Sequence, residues 1–462
     1  MELRWYQEEA VEAMIRCTDN GVVVLPTGSG KTLVMQEYIR RTGYSILLLS
    51  HVKEILEQNF ECVAPLGNVG VYSAGLEIKL IDHITIAGIQ SVYKTPELFK
   101  NFDVVLIDEC DLISDEGMYH TFLDQLGIPY IGLTATPYRL KSGYIYKSGL
   151  FDSLIYEAPI RKLQDQGYLT KIDMVGSVNE MDTKGLATTG GDFNIKEASL
   201  RFDREAITNQ IMDGLVVYKN TYKHWLLFCI DIKHAEHVSE ALNQRGITCA
   251  AVHSQSPRDE ALQAFKSGEI QAVANVNVLT VGFDYPEIDL IAIVRPTKST
   301  RLHVQMIGRG LRVAEGKTHC LVKDFAGNTG RLGFIDDLAP LEKTKKKGKG
   351  GVNPFAKTCP ECEKINAPAV RICECGYEFK FEHHLSAESH SPPKWYNVSN
   401  VYFSIYKKPG KPDSLKITYQ CGLKRFNQWI HLDHGGYAGY KARYWVSKRW
   451  IGMSNLLPKN VK

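Results

Sequence analysis

The chain has 462 residues, 44% of them hydrophobic and 23% charged, which fits roughly three globular domains with cores of their own. No apolar run approaches the roughly 18–20 residues that cross a bilayer. The start, Met1-Glu2-Leu3-Arg4-Trp5-Tyr6-Gln7, lacks the basic leader and apolar core of a secretion signal, so a cytoplasmic location without a membrane partner is expected. The net charge of +3 hides an asymmetry. Residues 394–462 hold 13 Lys/Arg against 2 Asp/Glu, a net of +11, which leaves −8 for the rest and points to a polyanion-binding module at one end.

Residues 1 to about 335 alternate short apolar runs with helical stretches. Strands are predicted at 22–25, 46–49, 84–87, 104–107 and 130–133, with a helix at 31–41 behind a glycine loop. The pattern restarts at 226–229, with a helix at 234–244 and further runs at 250–252, 272–274, 290–294 and 320–322. Unbroken apolar runs of this length read as parallel strands buried on both faces, and two successive α/β lobes are the simplest account. Residues 176–192 break both periodicities and read as a loop near the lobe junction. The predicted division is a first lobe at 1–155, a junction at 156–205, a second lobe at 206–336 and a basic flexible linker at 337–353. A cysteine module at 354–382 and a small α+β domain at 394–462 complete it.

Pro26, Thr27, Gly28, Ser29, Gly30, Lys31 and Thr32 follow a predicted strand and open a predicted helix. In that setting glycines let backbone N–H groups turn inward around phosphates, and the helix N-terminus adds partial positive charge. Lys31 is placed to reach the β/γ-phosphates of ATP, and the Thr32 hydroxyl to ligate Mg²⁺. Asp108-Glu109-Cys110-Asp111 ends the strand at 104–107. Ligands sit at the carboxyl ends of parallel strands, so Asp108 suits the Mg²⁺ shell and Glu109 suits orienting the attacking water. Such a pair could simply cap the next helix; beside a phosphate loop the catalytic role is the better account.

The ordered motifs resemble the superfamily 2 helicases. They are Leu3-Arg4-x-Tyr6-Gln7, Gly28-Ser29-Gly30-Lys31-Thr32, Asp108-Glu109-Cys110-Asp111, Leu133-Thr134-Ala135-Thr136-Pro137, Gly282-Phe283-Asp284 and Gln305-x-x-Gly308-Arg309-Gly310-Leu311-Arg312. Within that superfamily the chain is similar to bacterial RadD-type DNA-repair helicases and related phage helicases of the branch-migration type. It departs from them at Asp111, where that type has histidine, which touches the coupling of ATP to the second lobe.

The resemblance implies two tandem RecA-like P-loop lobes. Gln7 would read the adenine, with Arg4 supporting that pocket. Thr134 and Thr136 would couple hydrolysis to lobe movement, and Asp284 would sit between the ATP and nucleic-acid sites. Gln305, Arg309 and Arg312 would face the phosphates from the second lobe, so that hydrolysis requires closure. A nucleic-acid strand would cross both lobes and meet Ser50, His51, Lys53, Gln90 and Ser91. The implied activity is an ATP-dependent helicase or translocase on forked, branched or single-stranded DNA, in repair, recombination or phage replication. A single-stranded-DNA-binding protein is the further partner such a role suggests. An RNA helicase, or a DNA-binding ATPase switch without processive unwinding, are the competing readings.

Cys359, Cys362, Cys373 and Cys375 fall within 17 residues, and four thiolates so spaced can surround one Zn²⁺. The pattern resembles zinc ribbons, except that the second pair is CxC. A complete ligand set leaves no open position, so a structural role is expected. Residues 394–462 carry 13 aromatics among their cations. Lysines grip phosphates and aromatics stack on bases, so DNA binding is expected there, against a structural or partner-docking domain. Strands are predicted at 398–406 and 414–421 and a helix at 437–449.

Overall fold

The computed structural model describes residues 2–336, 356–379 and 397–433 with Ala442, leaving aside 52, 114–115, 140–142, 148, 178–179, 280–284, 408–411 and 423. The chain divides into two compact units, Met1–Lys380 and Phe381–Lys462.

The apolar runs of the first lobe form an eight-stranded sheet. Its order is Ser153–Glu157, Gly21–Val24, Tyr130–Thr134, Val104–Asp108, Ile46–Ser50, Ile84–Gly88, Val69–Ser73 and Ile78–Lys79, parallel except for the last pair. Val23, Leu48, Leu106 and Leu133 point into one core, and Val22, Leu47, Val105 and Ile107 into another on the opposite face. Burial on both faces is why these strands are continuously apolar in sequence. The loops after Gly21–Val24, Val104–Asp108 and Tyr130–Thr134 converge on one cavity.

The second lobe is a six-stranded parallel sheet, ordered Lys171–Val175, His319–Asp324, Leu290–Ile293, Trp225–Phe228, Ala272–Asn275 and Cys249–Val252. Within 156–205, expected from the sequence as the lobe junction, elements pack on both lobes. Ser153–Glu157 edges the first sheet, and Leu163 of helix Ile160–Asp165 joins the first lobe's core. Lys171–Val175 edges the second sheet, and helix Ile195–Phe202 buries Ala198 and Phe202 in the second core. Both edge strands are half-exposed and carry charges, so no apolar run announces them.

The cysteine module is a short hairpin, Lys357–Thr358 against Ile365–Asn366, docked on the outer edge of the second sheet. A bridge pairs Val175 with Lys364, and the Gly176 N–H donates to the Glu363 carbonyl at 2.8 Å. Buried Lys323 forms an ion pair with Glu363. The predicted linker at 337–353 lies outside the described residues.

The second unit contains an antiparallel meander, Asn400–Tyr406, Ser414–Cys421 and Lys424–Ile430. The third strand had no sequence signal, because Lys424, Arg425, Asn427 and Gln428 interrupt it. The predicted helix at 437–449 lies outside the described residues except for Ala442. Among the described residues no helix is long and apolar enough to cross a membrane.

Candidate active site between two lobes

Strand Gly21–Val24 feeds the loop at 25–30 into helix Lys31–Thr42. Gly28 and Gly30 take φ of 83° and 84°, a left-handed conformation that side chains resist. A Cβ on Gly30 would stand 2.6 Å from Gln7 Nε2, and one on Gly28 would stand 3.0 Å from Cγ of Arg312 in the other lobe. Glycine is thus needed here for space as well as for turning.

The cavity over this loop has a volume of about 550 Å³. Arg4, Thr27, Gly28, Gly30, Lys31, Thr32, Asp108 and Glu109 line it from the first lobe, and Gln305, Arg309 and Arg312 from the second. Ser29 lies beneath it, buried, with its hydroxyl donating to the Pro26 carbonyl at 2.7 Å. Helix Thr300–Gly308 and the turn after it deliver the second-lobe residues, and Gln305 and Arg309 are buried there. Two glycines permit this. A Cβ on Gly308 would meet the Thr27 side chain at 2.8 Å, and one on Gly310 the Cys320 sulfur at 2.6 Å. Close approach therefore explains the Gly-Arg-Gly sequence.

Lys31 pairs with Glu109 and stands 3.8 Å from Asp108. Burial alone would lower the Lys31 pKa, but the Glu109 and Asp108 carboxylates reverse this and hold it above the usual lysine range. Burial pushes Glu109 up, yet Lys31, then Arg301 and Arg309 from the second lobe, hold it below the usual carboxylate range. Glu109 also adopts φ of 51°, a conformation uncommon for a non-glycine residue, at the turn that aims its carboxylate at Lys31. Asp108 is raised by burial despite Lys31. It is short of positive charge, which fits a Mg²⁺ ion held there with Thr32.

Gln7 is buried, its Nε2 donating to the Ser29 carbonyl at 2.8 Å and its Oε1 accepting from the Arg4 N–H at 3.0 Å. It ties the phosphate loop to helix Trp5–Arg16 in addition to whatever base it would read. Arg4 lies over the Tyr168 ring at 5.1 Å, and both line the cavity. Tyr168 carried no sequence signal, because it lies far from every motif. Asn59 was also unread; its Nδ2 donates to Asp108 Oδ2 at 3.4 Å.

Asp111 is buried, accepting from Thr134 Oγ1 at 2.8 Å and from Thr136 Oγ1 at 3.1 Å. Arg301 of the second lobe completes the cluster. Burial, with help from Glu109, pushes Asp111 up to about 6 against the pull of Arg301. Arg301 was missed because it precedes the recognisable Gln305–Arg312 motif.

The proposed nucleic-acid contacts divide. His51 and Gln90 are exposed and adjacent, the Gln90 amide donating to the His51 carbonyl at 3.3 Å, and His51 stacks on Tyr119. Ser91 is half-buried and accepts from the Ala74 N–H at 2.8 Å. Ser50 is fully buried at the end of its strand, so its side chain is not presented to a bound strand in this structure. Lys53 starts helix Lys53–Val63, but its side chain is outside the described residues, as is Asp284.

The sulfurs of Cys359, Cys362, Cys373 and Cys375 all lie within 4.8 Å of one another, with Cys359–Cys375 and Cys362–Cys373 at 3.6 Å. Tetrahedral Zn–S bonds place sulfurs about 3.8 Å apart, so the four fit a zinc ion. The backbone N–H of Cys375, then Cys362 and Asn366, hold the Cys373 thiol down to about 6, while burial pushes Cys362 up to about 12. Gly376, at φ of 92°, closes the turn by donating its N–H to the Cys373 carbonyl at 2.8 Å. The CxC spacing is therefore compatible with four convergent sulfurs.

Residues 1–139 match the family described as type III restriction enzyme, res subunit, and residues 207–314 the helicase conserved C-terminal domain. The two matched segments fall one in each lobe, and the chain resembles the superfamily 2 helicases. A Saccharomyces cerevisiae protein described as the ATP-dependent helicase IRC3 is 28% identical to it over 360 residues, covering 70% of this chain and 51% of that protein. The chain thus spans about half the length of that relative. The DNA 3′-5′ translocase XPB2 of Sulfurisphaera tokodaii is 25% identical over 355 residues, covering 68% of this chain and 79% of that one. A fragment of a type I restriction HsdR subunit from Vibrio vulnificus shares the fold, with a TM-score of 0.53 at 22% identity, over 73% of this chain and 67% of its own. The motor's two parallel α/β lobes resemble RecA-like helicase lobes.

Proposed function

We propose that this motor is an ATP-driven DNA translocase or helicase acting on branched or forked DNA. The observation that carries the reading is the single cavity that gathers Lys31, Asp108 and Glu109 from one lobe and Gln305, Arg309 and Arg312 from the other. In this reading Gly28, Ser29 and Gly30 turn around the phosphates, Lys31 neutralises them and Glu109 orients the attacking water. Magnesium held by Thr32 and Asp108 would screen phosphate charge. Arg309 and Arg312 meet the charge that develops on transfer, which ties hydrolysis to lobe closure. Arg4, Tyr168 and Gln7 bound the adenine side.

DNA is favoured as the track by the restriction-enzyme family match to the first lobe and by the likeness to a named DNA translocase. The basic residues 394–462 add a polyanion-binding end. His51, Gln90 and Ser91 are the first-lobe contacts, and a single-stranded-DNA-binding protein would be a natural partner. The four cysteines hold a structural zinc.

ATP turnover measured with single-stranded, duplex and forked DNA and with matched RNA tests this. Forked DNA should stimulate most. Flat turnover across the panel would leave a DNA-independent ATPase, and stimulation by RNA alone would make this an RNA motor. Lys31→Ala should abolish strand separation together with hydrolysis.

A further inference from the structure

The register of the meander at 400–430 sorts its side chains onto two faces. Val401, Phe403, Ile405, Leu415, Ile417, Tyr419, Phe426 and Ile430 share one face. Ile417 and Ile430 are buried there with Leu432 and Ala442 in a small core, whereas Val401, Phe403, Ile405 and Phe426 of the same face are 43–61% exposed. The other face is the one that carries Lys416, Arg425 and most of the polar residues. Tyr402 and Tyr406 of the first strand and Trp429 of the third stand on it, 52%, 45% and 43% exposed.

Tyr406 and Trp429 meet edge to face, their ring centroids 6.3 Å apart. The register sets Lys416 beside Trp429 on the middle strand, and Arg425 lies on the same face, its Nε donating to Gln420 Oε1 at 2.6 Å. Thr418 donates to Asn427 at 2.7 Å between these cations. Exposed rings occur on both faces, but on this one they stand beside the cations Lys416 and Arg425.

We propose that this face is a platform for single-stranded DNA, separate from the motor cleft. Tyr402, Tyr406 and Trp429 stack on bases, and Lys416 and Arg425 meet phosphates. Charge argues for this occupant: residues 394–462 are net +11, with only Asp413 and Asp433 acidic. Stacking needs unpaired bases, so the occupant is single-stranded. The choice of DNA over RNA rests on the reading of the motor; the platform itself does not.

The test is binding of a labelled oligothymidylate to the full chain without nucleotide. Tyr406→Ala with Trp429→Ala should weaken binding about tenfold or more, whereas the paired Tyr406→Phe and Trp429→Phe changes should stay within about threefold. Lys416→Gln should flatten the salt dependence. Basal ATPase should be unchanged in all of them. In the unaltered chain, ultraviolet crosslinking to an iododeoxyuridine-substituted strand should map to Tyr402, Tyr406 or Trp429. Crosslinks confined to residues 1–336, or equal losses in the phenylalanine and alanine pairs, would overturn the platform. Tighter binding of oligouridylate than of oligothymidylate would overturn the assignment to DNA. Because the crosslinks need no ATP turnover, a failure of the motor reading would be seen separately.

Discussion

Arg301 in the second lobe lies 2.7 Å from Asp111 in the first, and Asp111 is at the same time held by Thr134 and Thr136. One buried carboxylate thus joins the ATP strand, the threonine motif and the opposite lobe. Asp111 has no exposed side-chain surface and Arg301 has 27%. Removing one partner of a fully buried pair costs ~3–5 kcal/mol, and the exposure of Arg301 reduces that to roughly 2 kcal/mol. Arg301→Ala should lower DNA-stimulated turnover far more than basal turnover. Adding Asp111→Asn to it should cause little further loss, and strictly additive losses in a double-mutant cycle would show that the pair does not act as a unit.

The same carboxylate gives a pH signature. Asp111 is pushed up to about 6, above the ordinary aspartate value of about 3.9. A raised carboxyl binds its proton more tightly in the folded state. Its contribution to stability is therefore full below about pH 3.9 and is lost as pH rises through about 6. Relative to Asp111→Asn, the unaltered chain should gain thermal stability as pH falls from about 7 to about 4. A pH-independent difference in melting temperature would contradict this.

In the proposed mechanism the Arg309 guanidinium meets charge that develops only on transfer, so Arg309→Ala should reduce kcat by about 10³-fold or more with a much smaller change in KM. Single-turnover kinetics separate this from a binding defect. Arg309→Lys should recover little, since lysine lacks the planar fork.

The two glycines of Gly308-Arg309-Gly310 should fail differently. Gly308→Ala puts a methyl 2.8 Å from the Thr27 side chain across the lobes, so it should slow ATP turnover while leaving the melting temperature nearly intact. Gly310→Ala puts one 2.6 Å from the Cys320 sulfur inside the second lobe, so it should destabilise the fold by about 1–3 kcal/mol. Melting curves and initial rates on both variants check the distinction.

Elemental analysis of the purified chain should find one zinc per chain, lost in Cys362→Ser. Removing the metal should lower the melting temperature of the motor as well as that of the module, because Glu363 partners the buried Lys323. A motor that melts unchanged after chelation would uncouple the two.

Central parallel strands were legible in the sequence because burial on both faces forces unbroken apolar runs, as at Ile46–Ser50 and Val104–Asp108. Residues 28–31 and the pair Asp108 and Glu109 stood out in the sequence because each is a short contiguous motif at a strand end, and the fold brings the two together. Outer strands were not legible: Val69–Ser73, next to the edge of the first sheet, contains Gly70, and the edge strand Lys171–Val175 alternates charge with apolar residues. Arg301, Asn59 and Tyr168 reach the site only through the fold, from positions with no characteristic neighbours. Ser50 shows the converse, a residue named by its motif whose side chain the fold encloses.

The second sheet takes its edge strand, Lys171–Val175, from before the lobe and its cap, around Glu363, from after it. A fragment cut to 206–336 would leave His319–Asp324 as a bare edge, with Cys320, Leu321 and Val322 open to pairing with other chains. The contacts that cover the outer side of Lys171–Val175 come from Glu363 and Lys364, later in the chain than the whole lobe. The smallest piece that keeps this sheet paired at His319–Asp324 is thus larger than the segment that matches a helicase domain, because it must begin before Lys171.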